Sequence, residues 1–257
     1  MSQPHRTHST VADVINRKAS YPVKFEDGSY YNSEMALAYS RTVADVESLG
    51  TGLDIIEFGC FTGIVAVSLQ QLGNHVVASD IDFVISDPGN HEFFRSQGVS
   101  TVPHDLAKTP LPLASDSFDL IIFTEVLEHL NFNPLPLLAE FHRILKPAGL
   151  IYLATPNLAR ISNRIDMVRG RSFMNPVQHL YWNLSPDTGM SVGLHWREWA
   201  KNELIELLAG SGFTLQRHYY TSLSENRSRF PRRQLISLMY SLFPSLLPAQ
   251  VGVFQKK

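Results

Sequence analysis

One cysteine, Cys60, stands in a chain of 257 residues. It cannot close an internal disulfide, it excludes a zinc centre built from several thiolates, and it fits a reducing compartment. Charge is sparse as well. Against 22 Lys and Arg there are 24 Asp and Glu, charged residues make up only 18% of the chain, and the formal net charge is −2. Such a balance offers no cationic surface for a nucleic-acid backbone. Long apolar runs are also missing. The first twenty residues are polar, carry His5, Arg6, His8, Arg17 and Lys18, and contain no run of signal-peptide type. The uncharged stretch 235–254 is interrupted by Ser237, Ser241, Ser245, Gln250 and two prolines, and reads poorly as a membrane span. We therefore expect a cytoplasmic protein with no transmembrane segment. Internal repeats and low-complexity linkers are absent too. With 44% hydrophobic residues the chain is globular, and one α/β domain of this length buries a sizeable core unaided.

What is present is alternation. From about residue 53, short β-rich runs alternate with helical patterns, which predicts an α/β fold: a doubly wound, mostly parallel sheet with helices on both faces. Residues 53–58 read as the first strand, 59–63 as a turn, and Ile64, Val65, Val67, Leu69 and Leu72 as the inner face of a helix stopped by Gly73. Strands two to five are expected at 75–79, 99–103, 118–123 and 150–154. A helix through Leu137, Leu138, Phe141, Ile144 and Leu145 precedes the fifth and is broken by Lys146-Pro147-Ala148-Gly149. A helix through Leu204, Ile205, Leu207 and Leu208, a strand at 213–220, a helical segment around 233–242 and a last strand at 251–254 complete seven strands. The stretch between Thr155 and Trp199 is too long for an ordinary connection. Ligands of open α/β sheets bind beyond the carboxyl ends of the strands, so residues 158–199 are expected as a lid insertion over the site.

The chemistry-bearing residues gather at those carboxyl ends. Glu57-Phe58-Gly59-Cys60-Phe61-Thr62-Gly63 joins the first strand to the first helix. Glycines there let a ligand approach the backbone, and the helix N-terminus offers free N–H groups. The spacing is G-x-x-x-G with Phe61 inside it, so the further glycine that seats a dinucleotide pyrophosphate is missing. Asp80 closes the second strand, where a carboxylate can accept both hydrogen bonds of a ribose diol. Asp105 follows the third, where one can accept from an exocyclic amine. Together they describe an adenosine site without a diphosphate. The competing reading makes each aspartate a turn former or helix cap.

With Thr124-Glu125-Val126-Leu127-Glu128-His129 after the fourth strand, the chain resembles the class I S-adenosylmethionine-dependent methyltransferases, in particular the group with a V-L-E-H element at that place. The likeness extends over about residues 50–215 and includes Ala78-Ser79-Asp80-Ile81-Asp82, His104-Asp105-Leu106, Arg143-Ile144-Leu145-Lys146-Pro147-Ala148-Gly149, Thr155-Pro156-Asn157 and His195-Trp196-Arg197-Glu198-Trp199. It implies a Rossmann-like methyltransferase fold over 51–257, with 1–50 as an N-terminal helical segment covering the cofactor site, and S-adenosyl-L-methionine as cofactor. It further implies that Glu57, Gly59 and Gly63, with Cys60 and Phe61 in the same loop, shape the methionine pocket. Asp80 with Ile81 holds the ribose, Asp105 and the backbone of Leu106 read the adenine, and Thr124 offers its carbonyl to the ammonium group. Phe61 stands where the family usually has glycine. The tail segment Leu242-Phe243-Pro244-Ser245-Leu246-Leu247 resembles that of methyltransferases of bacterial surface-glycan synthesis.

His129 and His195 are the candidate general bases, each with the alternative of capping a loop through backbone hydrogen bonds. No Asp, Glu and His grouping has the spacing of a metal-ligand set, so no metal is expected. Arg160, Arg164, Arg169 and Arg171 around Asp166 read either as an anion clamp or as a solvated helix face, with Asp166 paired to Arg169. Tyr181, Trp182, Trp196 and Trp199 read as acceptor-pocket walls or as the lid's own core. Arg229-Phe230-Pro231-Arg232-Arg233 before an apolar helix allows peripheral membrane contact, with a helix covering the sheet as the alternative. The expected partner is a small-molecule, lipid-headgroup or glycan acceptor, methylated on oxygen, and not a nucleic acid. The alternatives are a non-catalytic S-adenosylmethionine-binding protein and an NAD-dependent oxidoreductase.

Overall fold

The structure is a computed structural model and describes residues 3–24, 28–182, 194–223 and 232–257. Its strands form one seven-stranded sheet in the order β3-β2-β1-β4-β5-β7-β6. These are β1 (Asp54–Phe58), β2 (His75–Asp80), β3 (Ser100–Pro103), β4 (Phe118–Thr124), β5 (Leu145–Pro156), β6 (Phe213–Thr221) and β7 (Ala249–Lys256). β1 pairs parallel with β2 and β2 with β3, whereas β6 and β7 are antiparallel. By packing the chain falls into two compact units, residues 1–122 with 143–150 and residues 123–142 with 151–257.

The first unit holds α1 (Gln3–Lys18), α2 (Gly28–Leu49), α3 (Ile64–Gln71), α4 (Asp82–Ile85) and α5 (Pro88–Gln97). Ile55, Ile56, Leu120, Ile121 and Ile122 are fully buried, as in strands covered on both faces, which is why these segments read as unbroken apolar runs. α3 buries Ile64 through Leu69 without a polar side. The N-terminal helices belong to this packing. Val11, Val14, Val43 and Val46 are buried, Arg17 reaches Gln71 at 2.7 Å, and the Lys18 ammonium lies 5.2 Å from the Phe93 ring centre. At the amino end of β1, Lys146 bridges Asp54 and Asp119 at 2.6 and 2.8 Å.

The second unit holds α6 (Leu135–Ile144), most of which lies in it, α7 (Ile161–Val168), α8 (Val177–Trp182), α9 (Lys201–Gly210) and α10 (Arg232–Leu242). Phe123 meets Phe141 edge-on at 5.2 Å, and β7 is buried from Ala249 to Phe254. Asn157 is fully buried. It donates from Nδ2 to the carbonyls of Ser245 and Leu247, both at 2.8 Å, and from its backbone N–H to Pro248. The Thr155-Pro156-Asn157 motif thereby anchors the chain that enters β7.

Several expectations are refined. α4 and α5 had no counterpart in the periodicity. α5 is delimited by caps instead: Asp87 accepts from the amides of Gly89 and Asn90, Pro88 opens the helix, and Gly98 closes it at φ 67. β5 begins at Leu145, immediately after α6, with a left-handed turn at Ala148. The 158–199 stretch contains α7 and α8, while 183–193 lies outside the described residues, as does Arg229-Phe230-Pro231. α10 leaves Leu235, Leu238 and Leu242 exposed rather than laying them on the sheet. Among the described residues no helix is long and apolar enough to cross a membrane.

Candidate functional site

In the first unit Glu57, Asp80 and the loop from Gly59 to Gly63 lie together beyond β1 and β2. Glu57, 4% exposed, receives the Ala66 amide at the start of α3, while its Oε2 has no hydrogen-bond partner. Burial pushes its carboxyl up to about 8. The Ala66 bond opposes this and the Asp80 charge adds to it. Asp80 accepts the Phe61 amide on Oδ2 at 2.9 Å and the Ile81 amide on Oδ1 at 2.8 Å. Burial raises it to about 6 against those two bonds. Each carboxylate oxygen accepts more than one hydrogen bond, so Asp80 keeps capacity for a diol.

Phe61 has φ 46, the left-handed region that glycine enters freely. Its amide is held by Asp80 and its carbonyl accepts from Asn90 Nδ2 at 2.9 Å. A left-handed backbone is thus held here in a phenylalanine. The Gly59 and Cys60 amides donate to Ser79 O, and the Thr62 hydroxyl donates to buried Asn32 on α2 at 2.7 Å. Gly63 is also required by packing. At φ 80, an added Cβ would lie 2.3 Å from Cε1 of Phe94. Cys60 is buried, and desolvation with the Asp80 and Glu57 charges raises its thiol well above the ordinary value, so it packs as a neutral side chain.

Asp105 is half-exposed. It accepts the Ala107 amide at 3.0 Å and lies 3.6 Å from Lys108 Nζ, so it also closes its own turn, with Leu106 half-buried beside it. The His104 amide donates to Asp80 O at 2.8 Å, which ties this turn to the end of β2. The unpartnered, buried Oε2 of Glu57 and the spare acceptor capacity of Asp80 fit the ammonium and hydroxyl donors of S-adenosylmethionine.

In the second unit, Thr124 ends β4 and Glu125 turns the chain at φ 54, its amide held by Ala154 O. Backbone strain of that kind concentrates at functional sites. A one-turn helix, Leu127–His129, follows. Three hydrogen bonds stitch it to the distant segment 194–197: His129 Nδ1 to Leu194 O at 2.8 Å, and the amides of Trp196 and Arg197 to Glu128 O. They bring His129 and His195 together, edge to face, with ring centres 4.9 Å apart. A carbonyl only accepts, so Nδ1 of His129 carries the proton and neutral His129 keeps its lone pair on Nε2. Burial lowers its pKa and the nearby His195 lowers it further, against the Leu194 bond.

His195 turns Nδ1 toward Oε1 of Glu198 at 3.3 Å. That buried carboxylate also accepts from Arg160 and Asn163, each at 2.8 Å. Burial alone would raise Glu198, but donation from His195 and the charge and hydrogen bonds of Arg160 and Asn163 hold it below the usual carboxylate range. Arg160 is thus taken up by Glu198, and Arg164 donates to Ala159 O rather than to an external anion. Trp199 is buried under the Arg197 guanidinium at 4.1 Å, Trp196 and Tyr181 are exposed, and the side chains of Trp182, Tyr30 and Tyr31 lie outside the described residues.

Glu128 was not foreseen as a site residue. Its side chain is fully buried, Oε2 accepts from the Thr155 hydroxyl at 2.9 Å, and Oε1 has no hydrogen-bond partner and lies 3.9 Å from His129 Nε2. Burial and the Glu125 charge raise its carboxyl well above the ordinary value. The visible signal was E-x-x-E-H. What the sequence did not show was the stitch that brings His195 to it.

Comparison with known proteins bears on the family and the fold. The model of a methyltransferase-domain family matches residues 30–239. A probable S-adenosylmethionine-dependent methyltransferase of Mycolicibacterium smegmatis is 30% identical over 165 residues, covering 64% of this chain and 53% of that protein. A ubiquinone biosynthesis O-methyltransferase of Roseobacter denitrificans is 26% identical over 187 residues, covering 71% and 68%. The chain spans about half the length of most of the curated relatives it matches. Magnesium protoporphyrin IX methyltransferase from Synechocystis with bound SAH superposes with a TM-score of 0.57 at 14% identity, covering 97% and 96% of the two chains. A SAM-dependent methyltransferase from Methanosarcina mazei gives 0.57 at 18% identity over 82% and 96%. With the family model matched over most of its length and the fold shared, the chain belongs to the class I S-adenosylmethionine-dependent methyltransferases.

Proposed function

We propose that the protein transfers the methyl group of S-adenosylmethionine to an oxygen of a small-molecule, lipid-headgroup or sugar acceptor. The observation that carries this reading is the pair of imidazoles at 4.9 Å, each with Nδ1 committed to a carbonyl or carboxylate, which leaves Nε2 to take a proton from a hydroxyl. The ubiquinone biosynthesis O-methyltransferases among the relatives support oxygen as the acceptor atom. The bound cofactor supplies an electrophilic methyl on a sulfonium. This chain's residues do the rest: in the first unit Asp80 takes the ribose hydroxyls, Asp105 and Leu106 meet the adenine, and Glu57 with the loop through Gly63 serves the methionine portion; in the second unit the carbonyl of Thr124 is offered to the ammonium group and His129 and His195 serve the acceptor. An imidazole that takes the hydroxyl proton frees the oxygen lone pair to accept the methyl group that bound S-adenosylmethionine would supply, its sulfonium becoming a neutral thioether.

The test is transfer of labelled methyl to fractionated phenols, sugars and lipid headgroups. His129→Ala or His195→Ala should lower turnover by about 10²-fold with S-adenosylhomocysteine affinity unchanged. Full turnover in both variants would remove the histidines from the reaction.

A further inference from the structure

We infer that Glu128, His129 and His195 together hold a divalent cation, and that this ion takes up the acceptor oxygen; the second half rests on the methyl-transfer reading above. Each of the three residues offers one ligand atom, and these atoms lie within 4.8 Å of one another. Ligands about 2.1 Å from an ion stand at most roughly 4.2 Å apart, so a small closure completes the set, and both half-exposed imidazoles have room to make it.

Three features mark the cluster as built for an ion rather than assembled by chance. The first is Oε1 of Glu128, an unpartnered oxygen on a fully buried side chain that faces His129 Nε2 at 3.9 Å. A buried carboxyl oxygen that no hydrogen bond satisfies is a costly arrangement that a cation relieves. The second is the outer layer. His129 donates Nδ1–H to a backbone carbonyl and His195 turns Nδ1 to the Glu198 carboxylate, itself fixed by Arg160 and Asn163. Metal-bound imidazoles are oriented by such partners, which fix the tautomer with Nε2 free. The third is Glu125, within hydrogen-bonding reach of Glu128, which brings a second carboxyl group to the edge of the cluster.

Two imidazoles and a carboxylate suit Zn²⁺, Mn²⁺ or Co²⁺ better than the all-oxygen preference of Ca²⁺ or Mg²⁺. With the ion bound, both Nε2 atoms are ligands and the ion takes over the role given above to a free imidazole: an acceptor hydroxyl on it becomes more acidic, releases its proton to water, and presents its oxygen lone pair to the methyl carbon. The histidines then act through the ion.

The experiment uses the metal alone. The chelator-stripped protein is dialysed against ZnCl2, and Co²⁺ is added separately to read visible absorption. We expect one Zn²⁺ per chain, Co²⁺ bands of nitrogen and oxygen ligation, and at least tenfold weaker Zn²⁺ uptake in Glu128→Gln and in His195→Ala. S-adenosylhomocysteine binding, measured in the same variants, shows that they remain folded. Absence of stoichiometric uptake by the unsubstituted protein, or undiminished uptake in a His129→Ala/His195→Ala double variant, overturns the site. Methyl transfer that survives full chelation overturns the ion's role and leaves the methyltransferase reading standing. Loss of cofactor binding in the unsubstituted protein is the separate failure of that reading.

Discussion

Asp80 and Phe61 hold one another in place. The Asp80 carboxylate accepts the Phe61 amide at 2.9 Å, and that bond helps keep a phenylalanine at φ 46, where the family usually has glycine. Asp80 thereby fixes the path of the loop, beside the ribose role proposed for it.

Asp80→Ala should weaken S-adenosylhomocysteine binding by about 2 to 3 kcal/mol, the worth of a charge-assisted pair of hydrogen bonds. Isothermal calorimetry on a variant with an unaltered melting profile measures it. Unchanged affinity would remove Asp80 from the ribose site.

Glu57 makes stability depend on pH. Its folded-state value of about 8 lies above the ordinary 4.5, so between these limits the folded chain holds a proton that the unfolded chain has lost. Stability should fall as pH rises through that window, by up to about 1.4 kcal/mol per unit from this group. Asp80, raised from 3.8 to about 6, acts in the same direction over a lower window. Urea unfolding at pH 5 and pH 8 should show a smaller drop for Glu57→Gln than for the unsubstituted protein. Equal drops would contradict the assignment.

Gly63→Ala tests a packing requirement. A left-handed alanine costs roughly 1 to 2 kcal/mol, and displacing the Phe94 ring about 1 to 3 more. The urea midpoint should fall accordingly at constant m-value. A loss below 1 kcal/mol would mean that the ring yields freely.

What could be read in the sequence follows from which interactions are local. Ile55-Ile56 and Leu120 to Phe123 are apolar runs because parallel strands are buried on both faces, so strands, order of elements and the carboxylates at their ends were legible. α5 was not, because its buried Phe93 and Phe94 are adjacent rather than periodic; its caps, Asp87-Pro88 and Gly98, were the readable signal. Gly63 was read as a point of ligand approach; that a ring thirty-one residues on also requires it is something only the fold brings near. Glu128 and His195 meet through hydrogen bonds to Glu128 O and Leu194 O, and no spacing along the chain announces those.

The placement of β7 between β5 and β6 has a kinetic consequence. When β6 emerges it finds no strand edge to join, since its neighbour is the last strand of the chain, beyond α10. The two must enter the sheet as an antiparallel pair or in reverse order of synthesis, closing a long loop before any ladder bond repays it. Completion of this edge is the step at which folding of the second unit should be slowest.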